Sequence, residues 1–338
     1  MFSKDIGIDL GTANVLIYVK GKGIILNEPS IVARDRKTEE VLAVGKEASK
    51  MLGRTPKHIE SIRPLKDGVI YDFDVTETML KHFVHILKLK GFMSKPRILI
   101  CCPTNITSIE QNAIREVAQK AGAKKVYVEV EPKVAAIGAG LNIYQPNASM
   151  VIDIGGGTTD VAVLSLGDIV SSETIKVAGD RFDQQIMKYV KHQHKLLIGE
   201  KTAEKLKIKL GTAGKHLEEK KMEVRGRDIL TGYPKTLTLS SFEIEEAIRE
   251  SVEAIVEAAR AVLEKTPPEL ASDIIESGAV LTGGGAMLNG LDQYLSEKLE
   301  IPISIADNPM ECVVQGTGLM LEAKENVFHA KKTRPNNR

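Results

Sequence analysis

Apolar residues in this chain first alternate and then cluster. Ile6, Ile8 and Leu10 take every second position and run into Gly11. Residues 15–19 and 24–26 continue the apolar pattern across a Lys20-Gly21-Lys22-Gly23 turn. Period-two alternation bounded by glycine turns predicts strands, here an antiparallel meander. Residues 33–70 are more polar, broken by Pro56 and Pro64, and read as the short elements of a small inserted subdomain. The period then lengthens. Met79, Phe83 and Leu87 share one stripe and predict a helix from about Val75 to Gly91. A strand is expected at 97–102, followed by Thr107-Ser108-Ile109-Glu110, a capping box that opens a helix to about Ala121. A strand at 126–128 and a helix from about Pro132 to Leu141 complete a strand–helix–strand–helix order, which favours a wound α/β sheet.

The pattern then restarts. Met150-Val151-Ile152-Asp153-Ile154-Gly155 repeats the opening design: apolar strand, Asp, one apolar residue, Gly. Strands are expected at 160–166 and 169–177 around a Gly167-Asp168 turn. This is an internal duplication, too long in period for a solenoid. Residues 180–265 read as mainly helical, and a second capping box, Ser240-Ser241-Phe242-Glu243, starts the longest helix. Ile244, Ile248, Val252, Ile255, Ala259 and Val262 form its apolar face. A strand at 279–282 meets Gly283-Gly284-Gly285-Ala286, a helix follows Asn289-Gly290, another is expected from Pro309 to about Glu322, and the tail 331–338 reads as frayed.

Composition narrows the function classes. The 338 residues suggest two domains at roughly 150 residues each. With 46 Lys and Arg against 45 Asp and Glu, the net charge of +1 argues against a nucleic-acid binder. Aromatics are 4% with no Trp, too few for stacking platforms. Cys101, Cys102 and Cys312 fit neither a disulfide framework nor zinc spacing and read as buried small residues in a reducing compartment. Neither a signal peptide nor a stretch of ~18 apolar residues is visible, so a cytoplasmic location is expected, at most on a membrane surface.

Three glycine clusters sit at strand ends. Glycine lets backbone N–H groups approach an anion closely, and Gly11-Thr12-Ala13-Asn14 and Gly155-Gly156-Gly157-Thr158-Thr159 add hydroxyl donors. Each is preceded by an Asp two residues earlier. Asp9 and Asp153 can hold the waters of a Mg²⁺ ion, a hard cation that keeps much of its hydration shell. One such cluster alone reads more readily as a tight hairpin turn with a solvated Asp; two matched Asp-x-Gly turns plus a Gly-Gly-Gly-Ala turn are far more specific. Other phosphate sites fit worse. Gly45-Lys46 and Gly214-Lys215 are followed by Glu47 and His216, so no Walker A loop is present, and Asp160 stands where a dinucleotide fingerprint needs its third glycine.

These turns resemble those of the superfamily of actin, sugar kinases and heat-shock chaperone ATPases. Within it, the chain is similar to the MreB family of bacterial actins, including its Mbl and MreBH branches. The resemblance rests on residues 6–14, 63–70, 131–140, 153–160, 178–180 and 281–286, spread over nearly the whole chain. It implies an α/β, actin-like ATPase fold: two RNase H-like domains flanking a nucleotide cleft, each with a smaller subdomain. Domain I is expected over 1–145 plus 311–338 with an insertion at about 33–75, and domain II over 146–310 with an insertion at about 183–245.

The resemblance also implies roles. ATP and Mg²⁺ are the expected ligands, with the metal held through water by Asp9 and Asp153. Gly11, Thr12, Ala13, Asn14, Gly155, Gly156, Gly157 and Thr158 contact the phosphates. Glu204, Lys205, Leu206 and Lys207 meet purine and ribose, and Gly284, Gly285, Ala286 and Met287 form the adenosine turn. Glu131 orients or deprotonates the attacking water and Thr158 positions it. Ile109 lies where paired antiparallel protofilaments touch. Phe92 and Met93, with Phe2 beside them, form a membrane-inserting loop whose flanking Lys88, Lys90, Lys95 and Arg97 meet anionic headgroups. The implied function is a slow Mg-dependent ATPase that forms membrane-associated filaments, organises peptidoglycan synthesis and maintains rod shape. Its implied partners are further copies of itself, the inner face of the membrane, MreC, MreD, RodZ, RodA and class B penicillin-binding proteins, with no nucleic acid. A chaperone-type ATPase and a small-molecule kinase of the same superfamily are the alternatives.

Overall fold

The structure is a computed structural model that describes residues 5–87, 96–214 and 218–332, with side chains described to residue 323. The chain divides into two compact units, residues 1–142 with 310–338 and residues 143–309.

The first unit opens with the expected meander, β1 (Ile6–Leu10), β2 (Asn14–Val19) and β3 (Gly23–Pro29). A small antiparallel sheet follows, made of β4 (Val32–Asp35), β5 (Val41–Val44) and β6 (Ile59–Ile62), with the short helix α1 (Lys46–Met51) packed on it. The hairpin β7 (Leu65–Lys66) and β8 (Val69–Ile70) leads to α2 (Phe73–Ile86). Asp72 caps α2 by accepting from Val75 N at 3.0 Å, so the helix starts earlier than its apolar stripe alone indicates. Then come β9 (Arg97–Cys102), α3 (Ser108–Lys120), β10 (Lys125–Val130) and α4 (Glu131–Gly138). The capping box forms as the sequence predicts: Thr107 N donates to Glu110 at 2.7 Å and Glu110 N donates to Thr107 Oγ1 at 3.2 Å. The main sheet runs β10-β9-β1-β2-β3, antiparallel within the meander and parallel across β1, β9 and β10.

The second unit repeats this topology. β11 (Ser149–Ile154), β12 (Thr159–Ser165) and β13 (Asp168–Ile175) form the meander, and β11 then pairs in parallel toward a later strand. β12 is buried along its whole length, which explains why its sequence lacks clean alternation. Helix α5 (Gly179–His194) is followed by β14 (Leu196–Leu197), α6 (Glu200–Leu210), β15 (Lys221–Asp228), β16 (Pro234–Ser240) and α7 (Ser241–Lys265). The stretch 180–265 is mainly helical, as expected, but it also holds the three-stranded sheet β14-β15-β16, which the apolar spacing does not predict. In β15, Lys221, Glu223, Arg225 and Arg227 are exposed while Val224 and Asp228 are buried. That is a period-two pattern written in charged residues, which reads as solvated helix when only apolar spacing is followed. Helices α8 (Pro268–Ser277) and α9 (Leu291–Leu299) flank β17 (Ala279–Thr282), and β18 (Ile303–Ile305) ends the sheet, whose order is β13-β12-β11-β17-β18.

The chain returns to the first unit as α10 (Cys312–Lys332), longer than the expected helix and including Lys331 and Lys332 of the expected tail. It lies so close to α4 that a Cβ on Gly138 would be 1.8 Å from the Cys312 carbonyl oxygen, and one on Gly316 2.0 Å from that of Val134. Only glycine permits this approach. Each unit has its own apolar core, one around Ile8, Ile17, Phe83 and Ile100, the other around Ile152, Phe182, Leu206 and Ile255.

Candidate functional site

The first glycine turn joins β1 to β2. Its Gly11 carbonyl accepts from Ser30 Oγ at 2.6 Å, and its Ala13 carbonyl accepts from Ser30 N at 2.9 Å. Thr12, 6% exposed, accepts at Oγ1 from Gly68 N at 3.2 Å. Gly68 and Asp67 form the tip of the β7–β8 hairpin, with φ of 78° and 50°. Two successive positive φ values are those of a type I′ turn, which explains the Asp-Gly pair in that segment. That bond uses the Thr12 oxygen as acceptor and does not use its hydroxyl proton.

The second turn, between β11 and β12, is held differently. Gly155 N donates to Thr158 O at 2.9 Å. The carbonyls of Gly155 and Gly156 accept from the first amides of α5, Gly179 N at 3.2 Å and Asp180 N at 2.8 Å. Asp153, on β11, is 6% exposed and accepts from Thr282 Oγ1 at 2.9 Å. Burial, and then the nearby Asp160 carboxylate, push the Asp153 carboxyl up to about 7. A carboxylate in this setting gains from a neighbouring cation. The third turn, Gly283 to Met287, packs on the same strand: Gly283 has φ 78°, and a Cβ on Gly285 would be 2.2 Å from Ile154 Cγ2. Its Ala286 is buried and its Met287 exposed.

Helix α6 presents Glu204 and Lys205 at its surface. Leu206, expected beside the nucleotide, is wholly buried in the core of the second unit, so its side chain packs and does not bind. The Lys207 ammonium donates to Asp183 Oδ2 at 2.9 Å and to the Gly179 carbonyl at 3.0 Å. Lys207 and Met287 line one small polar pocket with Ile208, Thr212 and Asn289.

Glu131 is the first residue of α4 and half-buried, with Pro132 fixing the helix start. It belongs to the same unit as Asp9. The buried Cys101 thiol is raised well above its usual range, by burial first and then by the carboxylates of Asp9 and Glu131, so both acids lie close to it. Such a thiol is inert, as expected for a packing cysteine. Ile109, in the first turn of α3, is 79% exposed. Phe2, Phe92 and Met93 lie outside the described residues. Arg97 is engaged elsewhere than at a headgroup: its guanidinium pairs with the fully buried Asp5, Nε lying 2.8 Å from Oδ1.

The family profile described as "MreB/Mbl protein" matches residues 3–329. The chain belongs to the MreB/Mbl family. It is 63% identical over 322 residues to the cell shape-determining protein Mbl of Bacillus subtilis (strain 168), covering 95% of this chain and 97% of that one. Identity to the cell shape-determining protein MreB of Escherichia coli (strain K12) is 53% over 327 residues, 95% and 94% of the two chains. The solved structure of Spiroplasma citri MreB 5 bound to AMPPNP is similar with a TM-score of 0.92 at 41% identity, covering 98% of this chain and 99% of that one. The fold of this MreB/Mbl family member is therefore the actin-like one.

The signals for Ser30, Thr282 and Asp183 are weak in the sequence. Ser30 and Asp183 stand outside any phosphate motif, and Thr282 reads only as the last residue of a strand. Their roles come from contacts made across 19, 129 and 24 positions of chain.

Proposed function

We propose that this protein is an ATP-binding, filament-forming bacterial actin that maintains rod shape by organising peptidoglycan synthesis at the membrane. The observation that carries the nucleotide reading is the pair of glycine turns. In each, two turn carbonyls are already engaged as hydrogen-bond acceptors, and an Asp stands two residues upstream. The Spiroplasma relative is bound to AMPPNP in one structure and to ADP in another, which supports the same class of ligand here.

In this reading the turns at Gly11–Asn14 and Gly155–Thr158 hold the phosphates, with Thr12 and Thr158 donating hydroxyl protons. Glu204, Lys205 and Lys207 meet the purine and ribose, and Gly284, Gly285, Ala286 and Met287 the adenosine. Two carboxylates and hydroxyl oxygens are hard donors suited to Mg²⁺, and buried Asp153 is a group that such a cation would return to its ionised form. Asp9 and Asp153 would hold the ion through water; when bound, it neutralises charge on the phosphates. Glu131 accepts the proton of, or orients, the attacking water, and Thr158 positions it.

Assembly and attachment follow from the same family reading. Self-association into protofilaments, paired through Ile109, places many copies of the Phe92-Met93 loop and of Phe2 on one membrane surface, where avidity compensates for weak single contacts. Among the described residues no helix is long and apolar enough to cross a membrane. MreC, MreD, RodZ, RodA and class B penicillin-binding proteins are the proposed partners in wall synthesis.

The decisive experiment is electron microscopy of the full chain with Mg-ATP on lipid, beside phosphate release in solution. Filaments on lipid with slow ATP hydrolysis are expected. A monodisperse protein that turns ATP over without scattering light is a small-molecule kinase or chaperone-type ATPase, and overturns the proposal. In the same assay Ile109→Glu is expected to remain folded and to bind ATP but to yield unpaired protofilaments; an unchanged proportion of pairs would remove Ile109 from the contact.

A further inference from the structure

Helix α5 carries a clamp that the phosphate turns do not explain. Gly179 and Asp183 are one helical turn apart and face the same side. Between them they hold the Lys207 ammonium, by the Gly179 carbonyl at 3.0 Å and Asp183 Oδ2 at 2.9 Å. The Asp183 side chain is 15% exposed, and its second oxygen is buried with no hydrogen-bond partner among the described residues. Burial pushes the Asp183 carboxyl up to about 6 even though Lys207 pulls it down.

A carboxylate half-satisfied in this way is a poor source of stability. Desolvating two charges costs roughly what their attraction returns, and an apolar pair of the same volume would hold two helices together as well. What the pair supplies is a fixed position for the ammonium. That position is specific. The first amides of α5 are bonded to the carbonyls of Gly155 and Gly156, so the helix is tied to the second glycine turn. A Cβ on Gly179 would lie 3.3 Å from Lys207 Nζ and 3.7 Å from Gly156 Cα, so the ammonium sits beside that turn. Two of its three N–H donors are used, leaving one for a further acceptor. Glu204 stands one turn earlier on α6. A donor and an acceptor carboxylate one helical turn apart match a sugar diol, whose hydroxyls both donate and accept.

We infer that Asp183 is a positioning residue for nucleotide recognition: with the Gly179 carbonyl it holds the Lys207 ammonium where it meets the ribose hydroxyls, and so links sugar recognition to the phosphate turn at 155–157. This rests on the proposed contact between Lys207 and the ribose. The phosphate turn, α5, Asp183, Lys207 and α6 then form one connected path, and the backbone that cradles phosphate also sets the reach of the side chain that reads the sugar.

The test is equilibrium binding of Mg-ATP, Mg-2′-deoxy-ATP and Mg-3′-deoxy-ATP to the full chain at concentrations too low for assembly. The variants are Asp183→Ala, Asp183→Asn, Lys207→Met and Asp183→Ala with Lys207→Met. Asp183→Ala is expected to weaken ATP about tenfold, the scale of one hydrogen bond to a charged group. It is expected to weaken at least one deoxy analogue much less, so that the preference for the full ribose shrinks. Asp183→Asn, which keeps an acceptor oxygen, is expected to recover part of the loss and answers the question if Asp183→Ala does not fold. The double variant is expected to bind no more weakly than Lys207→Met alone, because both remove one interaction. Equal weakening of all three nucleotides by Asp183→Ala, or losses that simply add in the double variant, overturns the inference and leaves Asp183 a structural residue while the ribose assignment stands. ATP binding unchanged by Lys207→Met overturns the ribose assignment itself, and the positioning role with it.

Discussion

The two glycine turns of this protein have the same strand order around them and the same Asp-x-Gly entry, yet they are built from different parts. At the first turn, one serine does most of the work: Ser30 donates from both its hydroxyl and its amide, to Gly11 and Ala13. The turn's one glycine is required by the turn itself, since a Cβ on Gly11 would lie 2.7 Å from the Asn14 carbonyl oxygen. At the second turn the partners are the first backbone amides of α5, Gly179 N and Asp180 N, which donate to the carbonyls of Gly155 and Gly156. The acids differ as well. Asp153 is almost fully buried and tied to Thr282, whereas Asp9 is half-buried and lies near Cys101. What the duplication preserves is that two carbonyls of each turn are engaged as hydrogen-bond acceptors. The residues that achieve this were free to diverge.

This contrast divides the proposed labour: chemistry with Glu131 of the first unit, metal and sugar recognition mainly with Asp153 and Lys207 of the second. The largest effect is expected from Glu131→Ala. It is expected to bind ATP normally and to hydrolyse it about 10²–10⁴-fold more slowly, as loss of a general base does. Phosphate release at the parental rate would break the division, and loss of binding would make Glu131 a structural helix-start residue.

Asp153→Ala comes next. It is expected to reduce Mg-dependent ATP affinity by roughly ten- to a hundredfold, the range for a charged hydrogen-bonding group, with a smaller change in metal-free buffer. Affinity that responds to Mg²⁺ as in the parent chain would remove Asp153 from the metal site. The same substitution at Asp9 sharpens the contrast, since the less buried acid is expected to give the smaller loss. The smallest effect is expected from Ser30→Ala, which leaves the Gly11 carbonyl without its hydroxyl donor. About fivefold weaker ATP binding corresponds to one ordinary hydrogen bond. Titration of the chain with ATP measures it, and parental affinity would show that the first turn needs no such support.

Much of this was legible in the sequence because the signals are local. A capping box satisfies its own helix start, so Thr107-x-x-Glu110 and Ser240-x-x-Glu243 announce their helices, and both form. Short apolar runs ending in Asp-x-Gly mark β1 and β11, because strands buried nearly throughout need apolar residues along most of their length. The hairpin β15–β16 was not legible, because its inward positions include Gly226 and Asp228 and its outward ones are charged. Its strand character comes from pairing with β14 and from burial of Val224 and Leu239.

The sequence alone determined the duplicated plan, the glycine turns, the acids that precede them and the helix starts, since each depends on residues within a few positions of one another. Tertiary structure alone decided which residues support those turns and acids. Ser30 reaches Gly11, Thr282 reaches Asp153, and Asp183 holds Lys207, through hydrogen bonds between residues far apart in the chain. It also decided that Leu206 packs while its neighbour Lys205 faces solvent, because a helix turns each successive side chain by about a hundred degrees and only the folded core shows which direction is inside.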